Sequence, residues 1–401
     1  MSIEITLVGP ERHAELTGPL RSAFGYRLDP DRVERNLRTP ELVQRIAAIE
    51  AGKFVGSAGA FAFEMTTPGG KVATSGLTMV GVLATHRRRG ILTRMMALHL
   101  EEARANGQPV SALWASEGAI YGRFGYGVAT LGGAASFENE RVVFRRAVGR
   151  TGVFRFLEAE EAREPFREVY ERVRPSIPGM LGRSTEWWDF RKLGDFDKSL
   201  QPLHRVALMV DGRPEGYAIY RHAQRVGVPG PADTAIEVSE AIATSPETTA
   251  MLWRFLCELD LVRRIDAPLL GASHPLFHMV MEPRRLRMVA QDAVWVRIVD
   301  AASALAARTY AAEGAVTFRI DDALCPWNAG VYRVDGGRAG RSDAAPELRF
   351  DVSVLGSLYL GGVTARQLAD AGLIEEIAAG AVERADAIFR SPRAPWCPEV
   401  F

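Results

Sequence analysis

The sequence has little cysteine: three in 401 residues, Cys257, Cys325 and Cys397, odd in number and far apart. Such a set neither staples a fold with disulfides nor builds a zinc cluster, and it suits inert thiols in a reducing compartment. No apolar run reaches the ~18 residues that a membrane helix needs. The N-terminus, MSIEITLVGPERHAEL, lacks a basic segment followed by a long apolar one. No secretory signal is expected, and a cytoplasmic location is. Excess charge is missing too, with 49 Lys plus Arg against 49 Asp plus Glu. Net charge therefore gives no reason to expect nucleic acid or a membrane as a partner. No His, Cys, Asp and Glu set has metal-ligand spacing, so no metal is expected.

What remains is an ordinary globular text, 47% apolar and 24% charged, too long for one hydrophobic core. Pro10–Phe24 reads as a helix, and Arg45–Glu50, Phe54–Met65 and Leu77–Leu83 read as strands. After Gly90 the period changes. Leu92, Met95, Met96, Leu100 and Ala103 are spaced by three and four, as one helix face requires. Asn106–Gly107 followed by Pro109 stops that helix, and Val110–Ala115 is a short strand.

Around Thr151 the order restarts. Helix Glu158–Arg174, a hairpin His204–Tyr220 turning at Asp211–Gly212, strand Thr234–Ala243, helix Glu247–Leu261 and strand Pro268–Gly271 repeat the first sequence of elements. The match is one of order, which marks a diverged internal repeat. Its turn, Thr244–Ser245–Pro246, has neither arginine nor glycine. From Trp295 a third unit follows, with helix Ala301–Tyr310, strands Ala315–Asp321 and Gly330–Val334, and helices Thr364–Asp370 and Leu373–Ala387. The chain closes on APWCPEVF, whose two prolines, indole and final Phe suggest an ordered end.

The chemistry is concentrated at Val80-Gly-Val-Leu-Ala-Thr-His-Arg-Arg-Arg-Gly-Ile-Leu-Thr93. A strand runs into a turn that opens a helix, so free backbone N–H groups and the positive dipole end converge on an anion site. Gly90 permits close approach of a diphosphate, and Arg87, Arg88 and Arg89 add charge suited to it. No Gly-Lys-Ser/Thr follows, and the three glycines of a dinucleotide fingerprint are missing.

This turn resembles the Arg/Gln-x-x-Gly-x-Gly/Ala motif of the GNAT superfamily of N-acetyltransferases, with Leu92 at the last position. Ser116-Glu-Gly-Ala-Ile-Tyr121-Gly-Arg-Phe-Gly-Tyr126-Gly follows the next strand directly. Together with the degenerate second half, the aromatic C-terminus and Leu355–Gly362 (LGSLYLGG), it resembles the Eis (enhanced intracellular survival) acetyltransferases over nearly the whole chain. The resemblance implies an α/β (α+β) fold: two tandem GNAT-type units, 1–148 and 149–294, then a sterol-carrier-protein-like unit, 295–401. It implies acetyl-CoA as co-substrate, with Val80, Gly81 and Val82 along pantetheine. Arg88, Arg89, Gly90, Ile91, Leu92 and Thr93 would surround the pyrophosphate, and Ser116 and Glu117 would complete the site. Tyr121 would be the general acid and the carboxylate of Phe401 the general base. The acceptor would be a primary amine of a polyamine-like or aminoglycoside-type small molecule or of a lysine side chain, and the assembly a homohexamer.

The residues carry the same roles on chemical grounds. Attack on a thioester needs a neutral amine, a base for its proton and an acid for the departing thiolate. Leu77–Leu83 holds no acidic residue, so the base comes from elsewhere. An α-carboxylate, with a reference pKa of ~3.5, becomes a useful base when desolvated, and a tyrosine at ~10 stays protonated at neutral pH. Tyr126 is the second candidate acid and Glu117 the second candidate base. His86 reads as a surface residue and His99 as a hydrogen-bonded helix histidine, while Trp114, Trp187 and Trp188 read as core. Phe24-Gly-Tyr-Arg27, then Asp29 and Asp31, occupy the region where family members carry acidic acceptor residues. A lipid carrier or a non-catalytic acyl-CoA sensor is the competing reading, and release of free thiol in the presence of amines separates them.

Overall fold

The computed structural model describes residues 2–25, 39–149, 151–196, 200–224 and 234–401. Two seven-stranded sheets dominate it. The first has strands β1 (Glu4–Leu7), β2 (Leu42–Glu50), β3 (Lys53–Thr67), β4 (Gly70–Val82), β5 (Val110–Trp114) and β6 (Gly127–Val128). The second has β7 (Leu131–Glu138), β8 (Val153–Phe156), β9 (Leu203–Val210), β10 (Arg213–Gln224), β11 (Thr234–Ala243), β12 (Val262–Gly271) and β13 (Val289–Asp292). One further strand, β14 (Val294–Ile298), returns to the first sheet.

The two orders are the same. The first sheet runs β1-β2-β3-β4-β5-β14-β6, and the second, taken from its other edge, β8-β9-β10-β11-β12-β7-β13. Each half thus sends the strand after its short last one into its neighbour's sheet. β14 lies antiparallel to β5, with Val294 opposite Trp114, and β7 lies antiparallel to β12. The internal repeat read from element order is therefore present in the topology. The units read at 1–148, 149–294 and 295–401 do not divide at those residues, because the chain changes sheet between Val128 and Leu131 and again between Asp292 and Val294.

The third unit is a five-stranded sheet of β15 (Ala315–Asp321), β16 (Gly330–Asp335), β17 (Arg338–Arg341), β18 (Leu348–Asp351) and β19 (Ile374–Glu376), ordered β17-β16-β15-β18-β19. The sequence suggests one helix over Leu373–Ala387. The structure has instead β19, paired antiparallel with β18, and a helix Ala381–Phe389 that starts after Gly380. One apolar core joins Phe61, Val110 and Val296 of the first sheet to Phe318, Leu355 and Phe389 of the third unit. A buried pair, Arg297 to Asp322 at 2.7 Å, crosses the same boundary. The helix Ile91–Ala105 buries Ile91, Met95, Met96, His99, Leu100 and Ala103 against the first sheet, the face that its spacing indicates.

Candidate active site

β4 pairs in parallel with β5 only over Thr74, Ser75 and Gly76, opposite Val110, Ser111 and Ala112. β14 covers the other edge of β5 over Val110–Trp114, and past Gly76 and Ala112 the two parallel strands no longer pair. β4 also bulges there. Its register against β3 slips between Ser57 and Gly59, Met79 sits at φ 56°, and the Ser57 hydroxyl donates to the Met79 carbonyl at 3.1 Å. A bulge turns side chains and leaves a residue outside the ladder. Thr78, Met79, Val80 and Val82 are accordingly half-buried, while Gly81 lies against Pro19 and Leu20 of the first helix. Beside this edge a gap opens between β4 and β5, flanked by backbone groups that have no strand partner.

The turn that follows ends at an uncapped helix. Gly90, at φ 72°, is the N-cap residue of Ile91–Ala105, and no side chain bonds the first-turn N–H groups. Ile91, Leu92 and Thr93 thus present donors to whatever lies before the helix. Gly90 meets the conformational need directly, since any side chain there would have to hold a left-handed backbone. Arg87 and Arg88 are exposed. Arg89 instead holds Glu50 Oε1 at 2.6 Å, and His86 Nε2 lies 2.9 Å from Glu50 Oε2. Those bonds, Arg89's first, hold the Glu50 carboxyl down at about 2.

The second unit treats the same place differently. Its helix Pro246–Cys257 opens with Ser245, whose hydroxyl accepts from the Thr248 N–H, while Thr248 accepts from the Ser245 N–H at 3.1 Å. Pro246 brings no N–H at all. The donors exposed in the first unit are here consumed by the helix's own residues.

Tyr121 ends the short helix Gly118–Tyr121 that follows β5, next to the exposed Ser116 and Glu117. It is 7% exposed, and its ring stands edge-on to Tyr126 with centroids 6.0 Å apart. Burial raises its pKa above the usual tyrosine value, offset to a degree by a hydrogen bond with Ser116. Tyr126 is 1% exposed. Its hydroxyl lies 2.8 Å from Ser111 Oγ, which is also 2.9 Å from His99 Nε2 and donates to the Ser75 carbonyl. Both ring nitrogens of His99 are engaged, the other with Gln44 Oε1 at 2.9 Å, and burial pushes its pKa down to about 3. His99 is a buried neutral histidine on the sheet-facing side of its helix, and sequence reasoning overlooked Ser111 of β5, the residue that joins it to Tyr126.

Phe401 reaches the opposite side of β4. Its ring stands edge-on to Phe63 with centroids 5.0 Å apart, and one ring carbon lies 3.2 Å from where a Cβ on Gly76 would sit. The Phe63 ring lies closer still to that point, and it is this ring that requires a glycine where β4 last pairs with β5. Gly76 and Leu77 are neighbours on a strand and face opposite sides. Tyr121 packs in the cluster of Leu77, and Phe401 in the cluster of Phe63. Trp187 joins Phe61 and Phe63 at 5.4 and 5.1 Å, Trp114 is half-buried at the end of β5, and Trp188 is core to the second unit. Tyr26, Arg27, Asp29 and Asp31 lie outside the described residues. Among the described residues no group of three or more His, Cys, Asp and Glu is placed to hold a metal.

Residues 5–129 and 179–298 each match an acetyltransferase (GNAT) domain, and residues 301–398 match a sterol carrier protein domain. The chain is 37% identical to an uncharacterized N-acetyltransferase of Streptomyces coelicolor over the whole of both proteins. It is 34% identical to the N-acetyltransferase Eis of Mycobacterium tuberculosis, covering 87% of this chain and 86% of that one. The chain belongs to the Eis family of GNAT acetyltransferases. The crystal structure of Eis1 from Mycobacterium abscessus superimposes over the full length of both chains, with a TM-score of 0.86 and 31% identity. An Eis-family chain is an acetyl-CoA-dependent N-acetyltransferase. The splayed strands and uncapped helix fit such a co-substrate: a slot beside free backbone groups for an extended amide-containing arm, then exposed donors for a diphosphate.

Proposed function

We propose that this enzyme acetylates primary amines, of a polyamine-like or aminoglycoside-type small molecule or of a lysine side chain, at the mouth of the gap between β4 and β5. The observation that carries the reading is the uncapped start of the helix Ile91–Ala105 at Gly90, whose free donors follow the edge of β4 that β5 leaves unpaired. Val80, Gly81 and Val82 would lie along pantetheine. The donors from Arg88 to Thr93 would hold the diphosphate, with Arg89 fixed by Glu50. Ser116 and Glu117 would close the site.

Acetyl-CoA supplies an activated thioester. The Phe401 carboxylate accepts the proton of the attacking amine as the C–N bond forms. The Tyr121 hydroxyl gives its proton to the sulfur as the C–S bond breaks. Burial, which holds Tyr121 protonated, supports the acid role. A short extension after Phe401 tests the base. The extended protein is expected to fold and bind acetyl-CoA yet lose most of its turnover with amines, read as release of free thiol. An unchanged kcat would move the role to Glu117.

A cytoplasmic location and a hexameric assembly complete the proposal. Among the described residues no helix is long and apolar enough to cross a membrane. Exposed Val153 and Phe156 on the edge strand β8 give a surface suited to self-association.

A further inference from the structure

The last residues of the chain are seated in the second unit, not only in the third. β11 and β12 pair in parallel over Thr234–Glu237 and then diverge, as β4 and β5 do in the first unit. In the second unit protein fills the place where the strands separate. The Trp396 indole N–H donates to the Leu269 carbonyl of β12 at 2.9 Å, and the ring lies beside Gly271 and packs against the cluster that includes Tyr217 of β10 and Ile242 of β11. Its backbone N–H bonds the Pro178 carbonyl at 2.9 Å.

Three residues on, Glu399 is 2% exposed. One carboxylate oxygen accepts from Arg183 Nε, and the other from Trp187 Nε1 at 3.0 Å and Lys192 Nζ at 3.1 Å. Arg183 and Lys192 also hold Glu240 of β11, at 2.6 and 2.9 Å, so two cations and two carboxylates balance. Lys192 bonds the Pro398 carbonyl as well. Buried ions that each lack no partner resist reorganisation, because any displaced charge would be left unpaired in a medium that solvates it poorly.

We propose that the second unit is a clamp for the chain's end, in which Trp396 and Glu399 are positioning residues for the Phe401 carboxylate. The inference rests on the reading of Phe401 as the base. Only two residues separate Glu399 from the terminus, a reach of at most about 7 Å. With Glu399 locked and the Phe401 ring set against Phe63, few torsions remain by which the carboxylate can wander. A base held to a fraction of an ångström is worth far more than one on a free tail. The cleft that lost its anion turn has thus kept a use: it grips the residue group that serves the other cleft.

The test compares wild type with Glu399→Gln and with Glu399→Gln plus Lys192→Met, which removes one charge of each sign and leaves Arg183 paired to Glu240. The clamp predicts a 10–100-fold lower kcat in both, acetyl-CoA affinity within twofold, and a shifted lower limb of the kcat–pH profile. Glu399→Asp should recover some of the loss. Carboxypeptidase A should release Phe401 slowly from wild type and quickly from the variants. If the single variant does not fold, the double variant and the wild-type digestion decide. Wild-type kcat and pH profile in a folded variant, or fast release from wild type, overturn the clamp while the base stands. If a chain extended past Phe401 keeps full turnover, base and clamp fall together.

Discussion

The Tyr126 hydroxyl lies 2.8 Å from Ser111 Oγ in a fully buried setting, whereas Tyr121 stands one ring nearer the exposed Ser116 and Glu117. The two tyrosines of the SEGAIYGRFGYG segment thus have different partners, Ser116 for one and Ser111 for the other. Tyr121→Phe should lower kcat by ~10²–10⁴ with little change in acetyl-CoA affinity. Tyr126→Phe should instead lower the melting temperature, through the loss of one buried hydrogen bond worth about 1 kcal/mol. A kcat loss confined to Tyr126→Phe would reverse the assignment.

Calorimetry should find one acetyl-CoA per chain. Changing Ser245 or Pro246 should leave binding as it is, because their helix already satisfies its own donors. Gly90→Ala should weaken binding about tenfold. A Cβ there meets no protein neighbour, so the loss of binding comes from the space it takes from the diphosphate, while the left-handed backbone, which costs an L-residue roughly 1–2 kcal/mol, shows separately as a lower melting temperature. Two equivalent sites per chain would contradict the division of labour between the halves.

His99 makes stability depend on acid. Its folded pKa is pushed down to about 3, below the ~6.5 of an unfolded histidine. Above pH 6.5 both states are neutral and the full stability is present. As pH falls through that value the unfolded chain takes up a proton that the fold refuses, so stability drains until about pH 3. At pH 4 the loss is about 3 kcal/mol. The melting temperature of His99→Gln should therefore vary less between pH 7 and 4 than that of wild type. Parallel curves would show that His99 does not carry the dependence.

Light scattering should give six times the mass of the chain. A monomer at micromolar concentration would remove the hexamer.

The turn at Gly90 and the helix after it were legible because period and punctuation are local: threes and fours from Leu92, then Asn106, Gly107 and Pro109. The strand exchange was not. β7 and β14 are short apolar runs, and nothing within Leu131–Glu138 or Val294–Ile298 says which sheet will take them. The bulge at Met79 had no signal either, since methionine is a rare occupant of a left-handed backbone. Glu399 had one: it is the single charged side chain in APWCPEVF, and an isolated carboxylate in an apolar, proline-stiffened run implies a buried cation to meet it.

The crossed strands β7 and β14 also decide how the polypeptide can be divided. A cut in the connection between β7 and β8 would not free two halves, because each would still be laced into the other's sheet. Prepared separately, the N-terminal piece would bare the side of Val110–Trp114 that β14 covers, a ready template for pairing with stray chains. Two such pieces should form a soluble enzyme when synthesised together and precipitate when mixed afterwards. For the same reason a chimera joined at the middle of the chain would set β7 and β14 against strands whose side chains do not match them, and should fold poorly.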